Sequence, residues 1–196
     1  MNLIISFSGR KDGNCDRIAK FIFKKTDKII FFRDLNVHCC SHCDYECFGT
    51  GCKYRDDGIY DIYESMISFE KIILIVPMYC GNPSSLYFIF NERSQDFFLC
   101  HGEQYETIIS RLYIIGIYGD REKTPDFIPC FEKWFACSSY TDRVLGIERH
   151  PYDQKLHDSI LNIDEVKNKI TNFIFETKEI GNIMNKRHKA GLCECK

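Results

Sequence analysis

Five of the chain's 12 cysteines fall in one stretch, CCSHCDYECFGTGC, residues 39–52. The spacing is Cys40-x2-Cys43-x3-Cys47-x4-Cys52, with Cys39 left over. Four thiolates on a short loop can converge on an iron–sulfur cube, in which each iron takes one cysteine sulfur. Zinc is the main rival, since Cys40-x2-Cys43 makes an acceptable half-site with His38 and His42 beside it. However, Cys47 follows Cys43 closely, whereas structural zinc sites space their ligand pairs further apart. A disulfide and a set of unliganded thiols complete the alternatives, and a reducing compartment disfavours the first.

A second stretch with chemical potential is SFSGRKDGNCDRIAKF, residues 6–21. It follows an apolar strand and opens an amphipathic helix. The N–H groups at a helix N-terminus are unpaired and partly positive, so a monoester phosphate can sit there. Ser8 and Asn14 would donate side-chain bonds and Arg10 would add charge. The stretch is not a Walker loop, because no Gly-Lys-Ser/Thr ends it, and it lacks the G-x-G-x-x-G dinucleotide spacing. The competing reading is structural, with Gly9 and Gly13 making a turn and Asn14 capping a helix. Cys80, Cys100, Cys130 and Cys137 lie in or beside expected elements, where core packing is the default for a thiol. His101, His150 and His157 show no partner in the sequence and read as solvated or capping.

These residues need a scaffold. A chain of 196 residues, 44% apolar and 28% charged, can bury one sizeable core. Its net charge of −2 makes no case for nucleic acid or an anionic membrane surface. No apolar run approaches the ~20 residues of a spanning helix. The first residues read as a strand rather than a signal peptide, so a cytoplasmic location with reduced thiols is expected. Strands are expected at residues 2–7, 28–32, 71–76, 111–117 and 142–147. Helices are expected at 14–25, 56–68, 84–99 and 126–137, with a last one marked by Ile163, Val166, Ile170, Phe173 and Ile174. In the second helix Ile59, Ile62, Met66 and Ile67 share one face, and Asp56-Asp57 stands where it would cap. Buried strands alternating with helices imply a parallel sheet covered on both faces. One domain over 1–178, with a cysteine-rich loop at 36–55, precedes a basic polar tail at 179–196 that carries Cys193 and Cys195.

The stretch from Ser8 to Cys15 resembles the S-P-R-K-N-G-N-T/S phosphate loop of the flavodoxin-like NAD(P)H-dependent FMN reductases. Further segments match in order. The run from Cys52 to Asp57 is similar to that family's C-x-x-x-D-D-M. Residues Pro77-Met78-Tyr79-Cys80-Gly81-Asn82-Pro83-Ser84 resemble its P-V-Y-x-G-x-x-S, and Phe90 to Arg93 its F-x-D-R. Phe7 stands where the family has Gly, Gly9 where it has Pro, Cys15 where it has Thr or Ser, and Phe88 where it commonly has Lys.

The resemblance implies a flavodoxin-like three-layer α/β sandwich with a five-stranded parallel sheet of order 2-1-3-4-5. It implies FMN, with the phosphate near Ser8, Arg10, Asn14 and Cys15, and the ring near Pro77, Met78, Tyr79, Gly81, Asn82 and Gly119. The implied activity is an NAD(P)H-dependent oxidoreductase passing electrons through flavin to an unidentified acceptor, in a homo-oligomer. Iron–sulfur flavoproteins form a branch of that family with a compact four-cysteine motif at this place, usually C-x2-C-x2-C and a variable gap. That implies a four-iron cluster on Cys40, Cys43, Cys47 and Cys52, and an alternative role as an electron carrier without a substrate of its own. A third possibility is a module whose flavin site has degenerated, for which Phe7 and Cys15 are the best support.

Overall fold

The structure is a computed structural model and describes residues 1–41, 43–119, 127–136, 138–140, 142–152, 155 and 157–176. The tail from residue 179, with Cys193 and Cys195, lies outside the described residues, as do His42 and Cys137.

Five Ile- and Leu-rich strands form the sheet: β1 (Asn2–Ser6), β2 (Lys28–Phe31), β3 (Lys71–Tyr79), β5 (Leu112–Tyr118) and β6 (Val144–Glu148). They run parallel in the order β2-β1-β3-β5-β6. A two-residue strand, β4 (Asn82–Pro83), folds back antiparallel on the end of β3. With β4 set aside, this is the 2-1-3-4-5 order expected. Strand period assigns each side chain to a layer. Leu3, Ile5, Phe7, Ile72, Leu74 and Val76 join one core; Ile4, Ile73, Ile75, Ile115 and Ile117 join the other. The helices α1 (Asn14–Ile22) and α6 (Asp164–Phe175) cover the second core with Ile18, Ile22, Val166, Ile170 and Ile174. The first core lies under α2 (Ile59–Met66), α3 (Ser85–Cys100), α4 (Tyr105–Arg111) and α5 (Pro129–Glu132). No helix among the described residues is long and apolar enough to cross a membrane.

Several boundaries differ from expectation for local reasons. The first helix stops at Ile22, because Asp27 accepts the Lys24 N–H at 3.0 Å and turns the chain toward β2. The same carboxylate accepts the Asn2 N–H at 2.8 Å and fixes the start of β1. The second helix begins only at Ile59, after Gly58 takes a left-handed φ of 85°. Asp56-Asp57 forms a short 3-10 turn and Gly58 takes the N-cap position, but Asp57 Oδ1 still accepts the Ile59 N–H at 3.2 Å while Arg93 engages Oδ2. Arg111, expected in a strand, is the last residue of α4, an element the apolar pattern does not announce. The expected helix over 126–137 is a single turn, α5, followed by a 3-10 turn at Lys133–Phe135.

Gly116 in β5 is a packing requirement. A Cβ there would stand 2.7 Å from Cε1 of Phe127 and 3.0 Å from Cε2 of Phe131. Both rings are fully buried and meet edge to face at 4.8 Å. Gly116→Ala should therefore cost about 1–3 kcal/mol by overpacking. A urea midpoint unchanged from wild type would contradict this packing.

Candidate functional site

The winding of the sheet reverses between β1 and β3, and ligands of such sheets lie outside the carboxyl ends of the strands at that point. Two irregular loops meet there, residues 7–13 after β1 and 79–84 after β3. Their junction is one hydroxyl. Ser84 Oγ donates to the Phe7 carbonyl at 2.8 Å and accepts from Tyr87 N at 3.4 Å, capping α3. Ser84 is buried, so this hydroxyl ties the end of β1 to the start of α3.

The first loop is organised from below by Asp16, in the first turn of α1 and 1% exposed. Its carboxylate accepts from Ser6 Oγ at 2.8 Å, Asp12 N at 2.8 Å and Arg33 Nη1 at 2.9 Å, and pairs with Arg33 Nη2 at 2.9 Å. Arg33 Nη1 also donates to the Ser8 carbonyl at 3.1 Å. Asp12 sits in the left-handed region at φ 55°, a conformation that costs ~1 kcal/mol and needs such support. Neither Asp16 nor Arg33 stands out in the sequence, because they are 17 residues apart and become neighbours only through the β1–β2 pairing.

The residues expected at a phosphate divide into two sets. Ser8 is buried, and its Oγ accepts from Arg10 N at 3.1 Å and donates to Arg10 O at 3.0 Å, closing its own turn. Asn14 Oδ1 accepts the Ile160 N–H at 3.0 Å, tying α1 to the segment before α6. The Cys15 thiol is buried in the core, and burial followed by the Asp16 charge pushes its pKa far up. Gly9 and Arg10 are exposed. The first helical bond runs from Arg17 N to Gly13 O at 3.0 Å. The N–H groups of Asn14, Cys15 and Asp16 precede it and have no carbonyl to meet within the helix. Phe7 does not fill the crevice either. It is fully buried, with ring centroids 5.1 Å from Phe32 and 5.2 Å from Phe90. Of the four departures from the family pattern, Phe7 and Cys15 thus point their side chains inward, while Phe88 is exposed.

In the second loop Pro77 is buried, Met78 half-buried and Tyr79 exposed. Cys80 and Gly81 make the turn between β3 and β4 with φ of 49° and 79°. Two left-handed residues suit a two-residue hairpin turn, for which Cys is an unusual first member. Asn82 Nδ2 donates back to the Cys80 carbonyl at 3.1 Å. A Cβ added at Gly9, Gly81 or Gly119 would meet nothing within 4 Å, so the edge is open above all three. Gly119 follows β5, beside β3.

The cysteine loop is held by α3. Glu92 accepts the Cys40 N–H at 2.6 Å, and Asp96 accepts the Cys52 N–H at 2.8 Å. Between them Arg93 donates to His38 O at 2.9 Å, Tyr54 O at 2.8 Å and Asp57 Oδ2 at 2.8 Å. The Arg93 and Asp57 side chains are each 2% exposed. Asp96 is bound in a fork by Arg55, at 2.8 and 3.1 Å. The thiols of Cys43, Cys47 and Cys52 are half-buried, while Cys39 and Cys40 are exposed. Burial and then the proximity of Cys43 push the Cys40 thiol upward. Cys47 is raised likewise, and both feel Cys52. Among the described residues, no group of three or more His, Cys, Asp or Glu is placed to hold a metal ion. The expected ligand set Cys40, Cys43, Cys47 and Cys52 is therefore not assembled around a metal-sized centre.

Three smaller expectations are corrected. Cys100 is exposed rather than core and Cys130 is half-buried, while Cys80, set apart from that default by its place in the loop after β3, is exposed. His101 is not without a partner, since Tyr60 OH and His101 Nε2 share a hydrogen bond of 3.0 Å. His38 stacks on Tyr54 at 4.5 Å rather than standing free for a metal.

No family model and no curated protein matches the chain. Solved structures do. The Trp repressor binding protein from Bacillus subtilis superposes with a TM-score of 0.61 and 17% identity, over 90% of this chain and 99% of that one. The fold is flavodoxin-like. RosB, with 8-demethyl-8-formylriboflavin-5'-phosphate bound, gives a TM-score of 0.52 at 9% identity, over 75% of this chain and 64% of that one. Azoreductase AzrA gives 0.50 at 8%, over 88% and 94%. Identities this low speak for architecture alone.

The Arg93–Asp57 pair yields a test. Burial pushes the Asp57 carboxyl up, but the bonds from Arg93, His38 N and Ile59 N outweigh it and hold it below the usual aspartate range. A lowered native pKa stabilises fully above the unfolded value, about pH 4, and the gain is lost as pH falls through the native value. Arg93→Met leaves a buried unpaired charge and should cost about 3–5 kcal/mol at neutral pH. Urea unfolding at pH 7 and pH 3 should show the deficit shrinking at the lower pH. A deficit equal at both would contradict the pairing.

Proposed function

We propose that this chain binds FMN at the carboxyl edge of β1 and β3 and acts as an NAD(P)H-dependent oxidoreductase. The observation that carries the reading is the meeting of two loops at the carboxyl edge. At the reversal point of a flavodoxin-like sheet, a helix N-terminus with unpaired N–H groups faces an open loop, and Ser84 joins the two sides. The residues fit the group. Asn14, Cys15 and Asp16 offer backbone N–H donors to a phosphate, with Arg10 exposed beside them. The backbone from Met78 to Asn82 and Gly119 offers an open platform to a ring. RosB, a structure of similar fold, holds a riboflavin 5'-phosphate derivative, which adds support. FMN, when bound, supplies the hydride acceptance and electron transfer that side chains alone cannot. The protein's part is to bind, orient and shield.

A second reading is an electron carrier with a four-iron cluster on Cys40, Cys43, Cys47 and Cys52. It is favoured by the mutual influence of these thiols. It is opposed by the want, among the described residues, of a metal-sized arrangement. Anaerobic reconstitution followed by iron and sulfide analysis decides, and four irons per chain would establish the second reading.

The first reading predicts that the protein takes up one FMN per chain and becomes yellow. Anaerobic stopped-flow mixing with NADH or NADPH should then bleach the flavin band within seconds. A chain that cannot be loaded with FMN sinks the proposal, and a loaded chain that neither nucleotide bleaches removes the reductase activity from it.

A further inference from the structure

Asp16 poses an electrostatic problem for the site just proposed. A phosphate at the start of α1 would share the first turn of that helix with a buried carboxylate. Two anions so close, away from water, repel strongly. Among the described residues, Arg33 is the cation placed against that carboxylate from below. Arg33 bonds both carboxylate oxygens, and its side chain is only 13% exposed. Its guanidinium lies over the Phe31 ring at 4.9 Å, which helps fix it. The same group holds the Ser8 carbonyl at 3.1 Å, so its position is coupled to the loop that would cradle the ligand. The other cations near the loop are differently placed. Lys20 is engaged with Asp12 at 2.7 Å on the exposed side, and Arg10 and Lys11 are exposed to solvent.

We propose that Arg33 preserves a preference for flavins carrying a terminal phosphate, by cancelling the Asp16 charge that would repel the phosphate and by holding the Ser8 loop. The inference rests on the FMN reading above and extends it to specificity. Asp16 and Arg33 are positioning residues and need not touch the ligand. A pair that served only to staple the fold would influence phosphorylated and unphosphorylated flavins alike. A pair that manages charge influences only the phosphorylated one.

The experiment titrates the full chain with FMN and with riboflavin, which lacks the phosphate, reading the quenching of flavin fluorescence. Wild type should bind FMN at least about tenfold more tightly than riboflavin. Arg33→Met, which leaves the Asp16 charge uncancelled, should weaken FMN by roughly 10–100-fold and riboflavin by no more than about threefold. The double variant Asp16→Asn/Arg33→Met removes both charges and should regain most of the lost FMN affinity. A thermal melt of each variant reports folding. Should Arg33→Met not fold, the ratio of the two affinities is read on Asp16→Asn, which leaves the Arg33 charge uncancelled and should raise the FMN-to-riboflavin ratio above wild type; an unchanged ratio there overturns the inference. An FMN-to-riboflavin ratio unchanged in Arg33→Met, or a double variant no better than the single, overturns the inference while leaving the flavin reading intact. A wild-type chain that binds neither flavin overturns the reading itself.

Discussion

The carboxylate of Asp16 is the fixed point of the carboxyl edge. A charge buried to 1% exposure is tolerated only when its oxygens are fully engaged, and here each of its partners belongs to a different piece of chain. Ser6 ends β1, Asp12 lies in the turn, and Arg33 follows β2. Meeting the needs of one carboxylate therefore sets the path from the first strand into the first helix. The left-handed backbone at Asp12 is held by its N–H donating to the Asp16 carboxylate at 2.8 Å. The Ser84 bond to the Phe7 carbonyl then carries that position across to the loop after β3. What the crevice can bind follows from these few bonds, since they decide which N–H groups stay unpaired.

The cysteine loop uses the same device on a larger scale. Irregular backbone packed against a helix must have its polar groups satisfied. Glu92, Arg93 and Asp96 of α3 perform that service, taking the N–H of Cys40 and Cys52 and the carbonyls of His38 and Tyr54. Asp57 and Arg55 return charge to the same helix. The two ends of the loop are rigidly clamped, whereas its middle exposes Tyr45 and Phe48 at 78% and 63%. In this structure the thiols are neighbours within a loop whose fixed parts are its flanks.

Much of this was legible in the sequence. The Ile-rich strands follow from runs apolar enough to be covered on both faces, while their order is what the resemblance to the flavodoxin-like reductases implies. Of the stretches that resemble the reductases, Ser8–Cys15 follows β1 and Pro77–Ser84 ends β3, so these two meet at one edge, whereas Phe90–Arg93 lies within α3, where Arg93 pairs with Asp57. What was hidden has identifiable causes. Phe7 reads as an obstruction until strand period sends it into the aromatic core, and Cys15 as a lost hydroxyl until helix period does the same. Asp57 does take the first N–H of α2, as its place suggests, but its ion-pair partner Arg93 is 36 residues away and invisible to local reading. The turn at Cys80-Gly81 lacks the Asn-Gly signature that would have announced β4. Asp16 and Arg33 are ordinary charges until the sheet pairs β1 with β2.

The central claim is that a phosphate-bearing flavin sits between the start of α1 and the loop after β3. Amide chemical-shift mapping during an FMN titration tests it most directly. The account predicts that the largest shifts fall on the N–H groups of Gly13 to Asp16 and of Met78 to Asn82, with those of α6 little changed. Shifts centred on the cysteine loop or on α6, with Gly13 to Asp16 unmoved at saturation, would contradict it.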